Sequence, residues 1–312
     1  MNALRLGQAS RAVWAARAQG VSDYPRNGEP GVVHLGLGAF HRAHQAMVFD
    51  RLLASADDRW GVHAVGMTQP ALVNALREQD GLYAVRVADH QGSHWEVPGA
   101  LWRFHVAATE REAVVNAIGR AATRWVTLTV TEKGYTPALA QLLLDGLRLR
   151  WQQKLSGLTL ASCDNLQANG HKLQALVLAE AKDTGLRDWI ASHCAFPCSM
   201  VDRIVPATSD AVREAAEREL GAQDPTALGV EAFWEWVIED RFADPGDGPL
   251  LAAQGVRVTP EVHVYEDAKL RMLNGSHSAM ALIGAVTGRP YIASCIEVPH
   301  IRDFVHRLMT RE

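Results

Sequence analysis

A chain of 312 residues with 48% hydrophobic side chains can bury a large core and is long enough for two domains. Its formal net charge of −4 carries no basic stripe, which argues against a nucleic-acid partner, and no apolar run approaches the length of a membrane span. Four cysteines in a chain this long, and an N-terminus without the apolar core of a signal peptide, point to reduced thiols in a cytoplasmic protein.

The first strong element is an expected strand over Val32–Leu35, followed by Gly36-Leu-Gly38-Ala-Phe-His41 and a helix over His44–Leu53. Strand, glycine turn and helix in that order form a dinucleotide site when the first glycine permits a tight turn and the second lets the backbone approach a pyrophosphate. The fingerprint is incomplete, because His41 stands where a third glycine would let the helix pack close to the strand. A lone Gly-x-Gly fits an ordinary turn as well. A second strand is expected over Val62–Val65 and a helix over Ala71–Glu78. Tyr83–Val87, after the turn signal Asp80-Gly81, and Trp95–Trp102 read as further strands. The β-branched run Val126–Val130 predicts another strand, Pro137–Gln153 a long helix, and Leu158–Ala161 a strand with Asp164 and Asn165 just beyond its carboxyl end. Open α/β sheets bind ligands at that end. After Pro206 the pattern turns mostly helical, interrupted by expected strands at Trp234–Ile238 and Val256–Val264. The fold class is therefore α/β: a Rossmann-like dinucleotide-binding domain over residues 24–228, then a mostly helical domain over residues 229–312.

Two groups invite a metal reading. His193-Cys194-x3-Cys198 lacks the spacing of a common zinc motif and holds Phe196-Pro197, so it reads as structural. His41-x2-His44 suits substrate, cofactor or helix packing. The stretch Lys269-Leu-Arg-Met-Leu-Asn274-Gly-Ser-His277-Ser carries more chemistry, with an amine, an amide and an imidazole at i, i+5 and i+8. On a helix the three span an arc of roughly 140° and can face one cleft. Leu270, Leu273, Met280 and Leu282 support a helix, whereas Asn274-Gly275 is more often a turn. A lysine of depressed pKa moves protons near neutral pH, and Asn and His donate hydrogen bonds to a carbonyl or alkoxide oxygen. The alternative is a solvated lysine, an Asn cap and a satisfied histidine.

Six motifs in order add a resemblance that runs from about Gly31 to the end of the chain: His34–Gln45, Thr129-Val-Thr-Glu-Lys-Gly-Tyr135, Ser162-Cys-Asp-Asn165, Phe196–Pro206, Trp236-Val-Ile-Glu-Asp240 and Lys269–Ser278. The chain resembles the polyol-specific long-chain dehydrogenases, the mannitol dehydrogenase family. Within it, Lys133-Gly134, Asn169-Gly-His171 and Cys198 look most like the fructuronate reductases. The resemblance implies a hydride transfer between NAD(H) and a keto-sugar acid or sugar alcohol, D-fructuronate to D-mannonate first, with neutral mannitol or arabinitol as the alternative and a catalytically impaired NAD-binding remnant as a second. Lys269 then matches the general acid/base, and Asn274 and His277 the pair that polarises the substrate oxygen. Asn165 and Asp202 match substrate-organising positions, and Glu132 a carboxylate that passes the proton to solvent. Gly36, Gly38, Ala39 and Phe40 match the pyrophosphate loop. Asp202 could equally pair with Arg203 or another cation, and Glu132 could be a solvated side chain. No metal is implied, since a charged lysine supplies the electrophilic assistance that zinc gives other alcohol dehydrogenases. NADP stays open beside NAD, because Val65–Pro70 offers neither an acid for a 2′-hydroxyl nor an arginine for a 2′-phosphate. Arg42, Lys133 and Lys172 are candidates for a sugar carboxylate. The family's helical domain normally extends further and supplies an arginine to the substrate site. The chain is accordingly expected to be truncated, leaving the pocket open on one side and Leu270, Met280, Leu282 and Ile283 exposed.

Overall fold

The computed structural model describes residues 4–55 and 57–311. They form two compact units that divide between Pro260 and Glu261. In chain order the strands are β1 (Gly20–Val21), β2 (Val32–Leu35), β3 (Val62–Gly66), β4 (Val85–Asp89), β5 (Gly92–Val97) and β6 (Leu101–Val106). They continue with β7 (Trp125–Leu128), β8 (Thr159–Ser162), β9 (Ser199–Asp202), β10 (Leu228–Glu231), β11 (Glu235–Glu239) and β12 (Arg257–Thr259).

The architecture is a Rossmann-like α/β unit followed by a helical one. Its centre is a five-stranded, all-parallel sheet in the order β6-β3-β2-β7-β8. The short apolar runs explain why these strands lie inside it. Every residue of β2, β7 and β8 is buried, as a strand covered on both faces requires. Alternate residues feed opposite cores: Val32 packs with Val62, Ala64 and helix Gln45–Ala54, while Val33, Leu35 and Val126 pack with helices Arg111–Gly119 and Pro137–Gln152. Each such side chain contributes about 1.5–3 kcal/mol by leaving water. Two smaller sheets, β1-β5-β4-β10 and β12-β11-β9, complete this unit.

Several expectations need correction. The boundary at 228/229 falls inside β10, which pairs with β4 through Leu228 and Val85, so residues 229–260 belong to the first unit. Trp95–Trp102 is not one strand. Pro98, which has no N–H to give a ladder, and Gly99 separate β5 from β6, and the two join different sheets. The Val256–Val264 run is strand only at Arg257–Thr259; Pro260 ends it and helix Val262–Ala268 follows. The helix expected from His44 begins earlier, at Ala39, and breaks at His44 before resuming as Gln45–Ala54. The break has a cause: the buried His44 ring sits edge-on to Trp234 and Trp236, and its Nε2 lies 2.9 Å from the Glu235 carbonyl.

His41, the missing third glycine, is buried and stacked on the buried ring of His34 with centroids 3.3 Å apart. The His34 ring is also held between Thr127 Oγ1 (2.9 Å) and Thr129 Oγ1 (3.0 Å). Burial brings the pKa of His34 down to about 3 and holds His41 well below the usual range. In the unfolded chain both imidazoles protonate near pH 6.5, so the unfolded state binds more protons below that pH, and stability present above it is lost on acidification. Each neutral histidine contributes about 1.4 kcal/mol per pH unit to that slope. His34→Asn keeps a polar group at the Nδ1 position, toward Thr127. It is expected to flatten the slope by about that amount between roughly pH 6 and 4 in urea titrations. An unchanged slope would remove His34 from the account.

The second unit consists of helices Val262–Ala268, Lys269–Asn274, Gly275–Thr287, Ile292–Ile296 and Pro299–Arg311 around Met280, Cys295, Ile301 and Val305. Met280 is thus core rather than exposed, and Ile283 packs against the same cluster. Leu270 and Leu282 are exposed as expected, together with Val286 and Tyr291. No helix among the described residues is long and apolar enough to cross a membrane.

Candidate active site

The chain winds from β2 to β3 to β6 in one direction and from β7 to β8 in the other. The switch point therefore lies between the carboxyl ends of β2 and β7. The glycine turn stands there. Gly36 has φ +103°, and a Cβ on it would meet the Thr129 carbonyl oxygen at 2.2 Å, so no other residue fits. The Gly36 and Leu37 amides both donate to Val65 O at 2.9 Å, and Thr129 Oγ1 donates to Gly36 O at 2.8 Å. Gly38 differs: a Cβ there would meet nothing nearer than Gly36 O at 3.6 Å. Its backbone is open to a ligand. Ala39 begins the helix, and the half-buried Phe40 ring stacks on His44 at 4.9 Å. Gly36, Gly38, Ala39 and Phe40 all keep partial exposure, so the turn can cradle a pyrophosphate. Beyond the ends of β3, β6 and β7 lies a cleft of about 360 Å³, lined by Met67, Ala107, Ala108, Val130, Lys133 and Leu139, among others. Met67 stands just past β3, where a ribose-binding acid would be sought, and contributes neither charge. The cationic rim of this cleft was hidden in the sequence. Arg111 lines it too, from a helix start far from any motif, and pairs with Asp145 at 2.6 Å.

The loop after β7 carries Glu132, exposed in a single turn. Thr131 holds φ 62° and ψ 168°, a conformation that costs a non-glycine residue about 1–3 kcal/mol. Asp164 offsets that cost. Its carboxylate accepts from Thr131 N at 2.7 Å, Val130 N at 3.2 Å and Tyr135 Oη at 3.1 Å. Burial pushes the Asp164 pKa up, against these bonds. Asp164 is therefore a clamp on the loop, while its neighbour Asn165 is exposed beyond β8. Asp202, the last residue of β9, is half-buried opposite Glu235. Arg203 turns away to the carbonyls of Ala43 (2.5 Å) and Glu231 (3.0 Å) rather than to Asp202. Arg42 is likewise withdrawn from the candidates for a sugar carboxylate. It is buried, donates to Thr226 O at 2.5 Å and lies over the Tyr83 ring. Lys133 and Lys172 are exposed. His193 is exposed, with its Nδ1 at 3.0 Å from Trp189 O, and among the described residues the grouping of potential ligands around Cys198 includes neither His193 nor Cys194.

In the second unit Lys269, Asn274 and His277 lie on continuous helix, and the Asn274-Gly275 pair does not break it. The reason was not legible in the spacing. Lys269–Asn274 is a π-helical segment, with Gly275 N donating to Leu270 O, and α-helix resumes at Gly275. In a π turn residues five apart take the stacked position that residues four apart hold in an α-helix. Lys269 and Asn274 become neighbours along one face, and His277, three α-helical positions on, extends it. Such turns occur often at functional sites. Lys269 and Asn274 are half-buried and His277 is exposed. The His277 Nδ1 lies 2.9 Å from Leu273 O. A carbonyl only accepts, so Nδ1 carries the proton, and the neutral ring presents Nε2 as an acceptor.

A family model for the mannitol dehydrogenase Rossmann domain matches residues 30–246, and one for the mannitol dehydrogenase C-terminal domain matches residues 261–312. D-mannonate oxidoreductase of Escherichia coli (strain K12) is 38% identical over 316 residues, which cover 91% of this chain and 64% of that protein. Mannitol 2-dehydrogenase of Cereibacter sphaeroides is 36% identical over 312 residues, 91% of this chain and 65% of its own length. The chain thus spans a little under two thirds of these relatives. Among solved structures, the Pseudomonas fluorescens mannitol 2-dehydrogenase ternary complex with NAD and D-mannitol aligns with a TM-score of 0.87 at 28% identity, covering 99% of this chain and 68% of that one.

Proposed function

The chain belongs to the mannitol dehydrogenase family, and from that premise we propose that it transfers a hydride between NAD(H) and a sugar carbonyl, with D-fructuronate and D-mannonate as the substrate pair. The observation that carries this reading is the face shared by Lys269, Asn274 and His277 across the π-to-α junction. The bound nicotinamide supplies the hydride donor or acceptor. Gly36, Gly38, Ala39 and Phe40 hold its pyrophosphate at the switch point. Lys269 gives its ammonium proton to the substrate oxygen in reduction and takes it back in oxidation. Asn274 donates from its amide to the same oxygen as negative charge develops. Neutral His277 accepts a hydrogen bond from a substrate hydroxyl through Nε2, and it donates to the oxygen only as the imidazolium. Asn165 and Asp202 orient the sugar, Glu132 relays the proton to solvent, and Lys133 or Lys172 meets its carboxylate.

The mannonate reading is supported by the 38% identity to D-mannonate oxidoreductase and by Lys133-Gly134, Asn169-Gly-His171 and Cys198. A neutral polyol is favoured instead by the mannitol 2-dehydrogenase relatives at nearly equal identity. A panel of D-mannonate, D-mannitol and D-arabinitol, each assayed with NAD and with NADP, separates them. Highest kcat/KM on mannonate with NAD is expected. Preference for mannitol replaces the substrate, and NADH binding without turnover of any sugar leaves only a dinucleotide-binding protein.

A further inference from the structure

Three potential metal ligands from three separate elements converge in the first unit. His171 lies in helix Asn169–Glu180, Cys198 immediately precedes β9, and Glu239 ends β11. Their ligand atoms all fall within 4.8 Å of one another, with Cys198 buried, Glu239 half-buried and His171 exposed. No short motif announces this group. The fold assembles it through backbone contacts fixed independently of any ion. Antiparallel pairing of β9 and β11 sets Ser199 against Ile238, so Glu239 falls beside Cys198. Glu239 N donates to Cys198 O at 2.9 Å, and Cys198 N donates back to Glu239 Oε2 at 2.9 Å, which holds the carboxylate next to the thiol.

The helix bearing His171 is stitched to the same place. Asn169, fully buried, donates to Asp164 O (3.0 Å) and Ser199 O (2.8 Å) and accepts from Ser199 N (2.9 Å). Gly170 makes the approach close. A Cβ there would sit 2.5 Å from the Pro197 carbonyl group, so a larger residue would push His171 away from Cys198.

We propose that His171, Cys198 and Glu239 bind a zinc-type divalent cation. Thiolate and imidazole are borderline-soft donors that zinc accepts and that magnesium and calcium, which prefer all-oxygen sites, do not. Three protein ligands leave a fourth tetrahedral position for water. In a formed site the ligand atoms stand roughly 3.3–3.8 Å apart. A small swing of the exposed His171 ring closes the remaining distance. Binding converts the Cys198 thiol to thiolate and releases its proton to solvent, with no change of oxidation state. The cation clips helix Asn169–Glu180 to the β12-β11-β9 sheet and so fixes the loop that carries Asn165 and follows Asp164. It has no part in the proton transfer assigned to Lys269, and it stands whether or not that assignment does.

Cobalt serves as the probe because a thiolate-to-cobalt charge-transfer band reports Cys198 directly. Titrating the chelator-treated 312-residue chain with Co²⁺ should give that band at one ion per chain, and Zn²⁺ should displace it. Cys198→Ser should abolish the band and Cys194→Ser should keep it. His171→Ala, at an exposed helix position, should weaken Co²⁺ binding by at least the roughly 10–100-fold that loss of a mere outer-shell partner costs. Absence of the band, its survival in Cys198→Ser, its loss in Cys194→Ser, or unchanged affinity in His171→Ala each overturns the proposal.

Discussion

Lys269→Ala is expected to lower turnover by about two to four powers of ten, the usual contribution of a positioned acid–base group. Cofactor affinity should stay near its starting value, because the glycine turn proposed to hold the pyrophosphate lies in the other compact unit, at Gly36–Phe40. The two quantities are read separately, kcat from steady-state rates and the NADH dissociation constant from fluorescence titration. Lys269→Arg sharpens the test. Arginine keeps the positive charge but does not release its proton at accessible pH, so the variant should be nearly as slow as the alanine if proton transfer is the role. Recovery of rate with arginine would reduce Lys269 to a fixed charge. Near-normal turnover in Lys269→Ala would sink the assignment altogether.

What the sequence made legible, and what it did not, follows from where each signal is stored. Val32–Leu35 and Trp125–Leu128 are short apolar runs, and burial on both faces of a parallel sheet writes that property into every residue. The turn after β2 was equally readable, since only glycine survives 2.2 Å from a carbonyl oxygen. Other features depend on partners distant in sequence. Arg42 reads as a surface cation until the fold buries it against Thr226 and Tyr83. Asp164 reads as a ligand-binding acid until the strained Thr131 amide is found donating to it. The domain boundary is illegible for the same reason, because β10 pairs with β4 and joins a sheet whose other strands lie far earlier in the chain. The Lys269–His277 stretch is the mixed case. Its chemistry was plain in the residue types, but α-helical spacing spread the side chains over a wide arc, and the π segment that narrows it has no sequence marker of its own.

That narrowing sets the expectation for the second position. Asn274→Ala should lower turnover about a hundred-fold or more, as loss of one donor aimed at a developing oxyanion costs roughly 3 kcal/mol. The argument rests on what else on that face can donate. His277 has committed its Nδ1 proton to Leu273 O, so its neutral ring offers the substrate oxygen no hydrogen. The Lys269 ammonium is consumed as a donor when it hands over its proton. The Asn274 amide is then the neutral donor that persists through the reaction. Because the interaction strengthens only as charge builds on the oxygen, the loss should fall on kcat and on kcat/KM together, with KM little changed. A rise in KM with kcat intact would show that Asn274 binds ground and transition states alike. The oxyanion role would then pass to Lys269 and the charged form of His277.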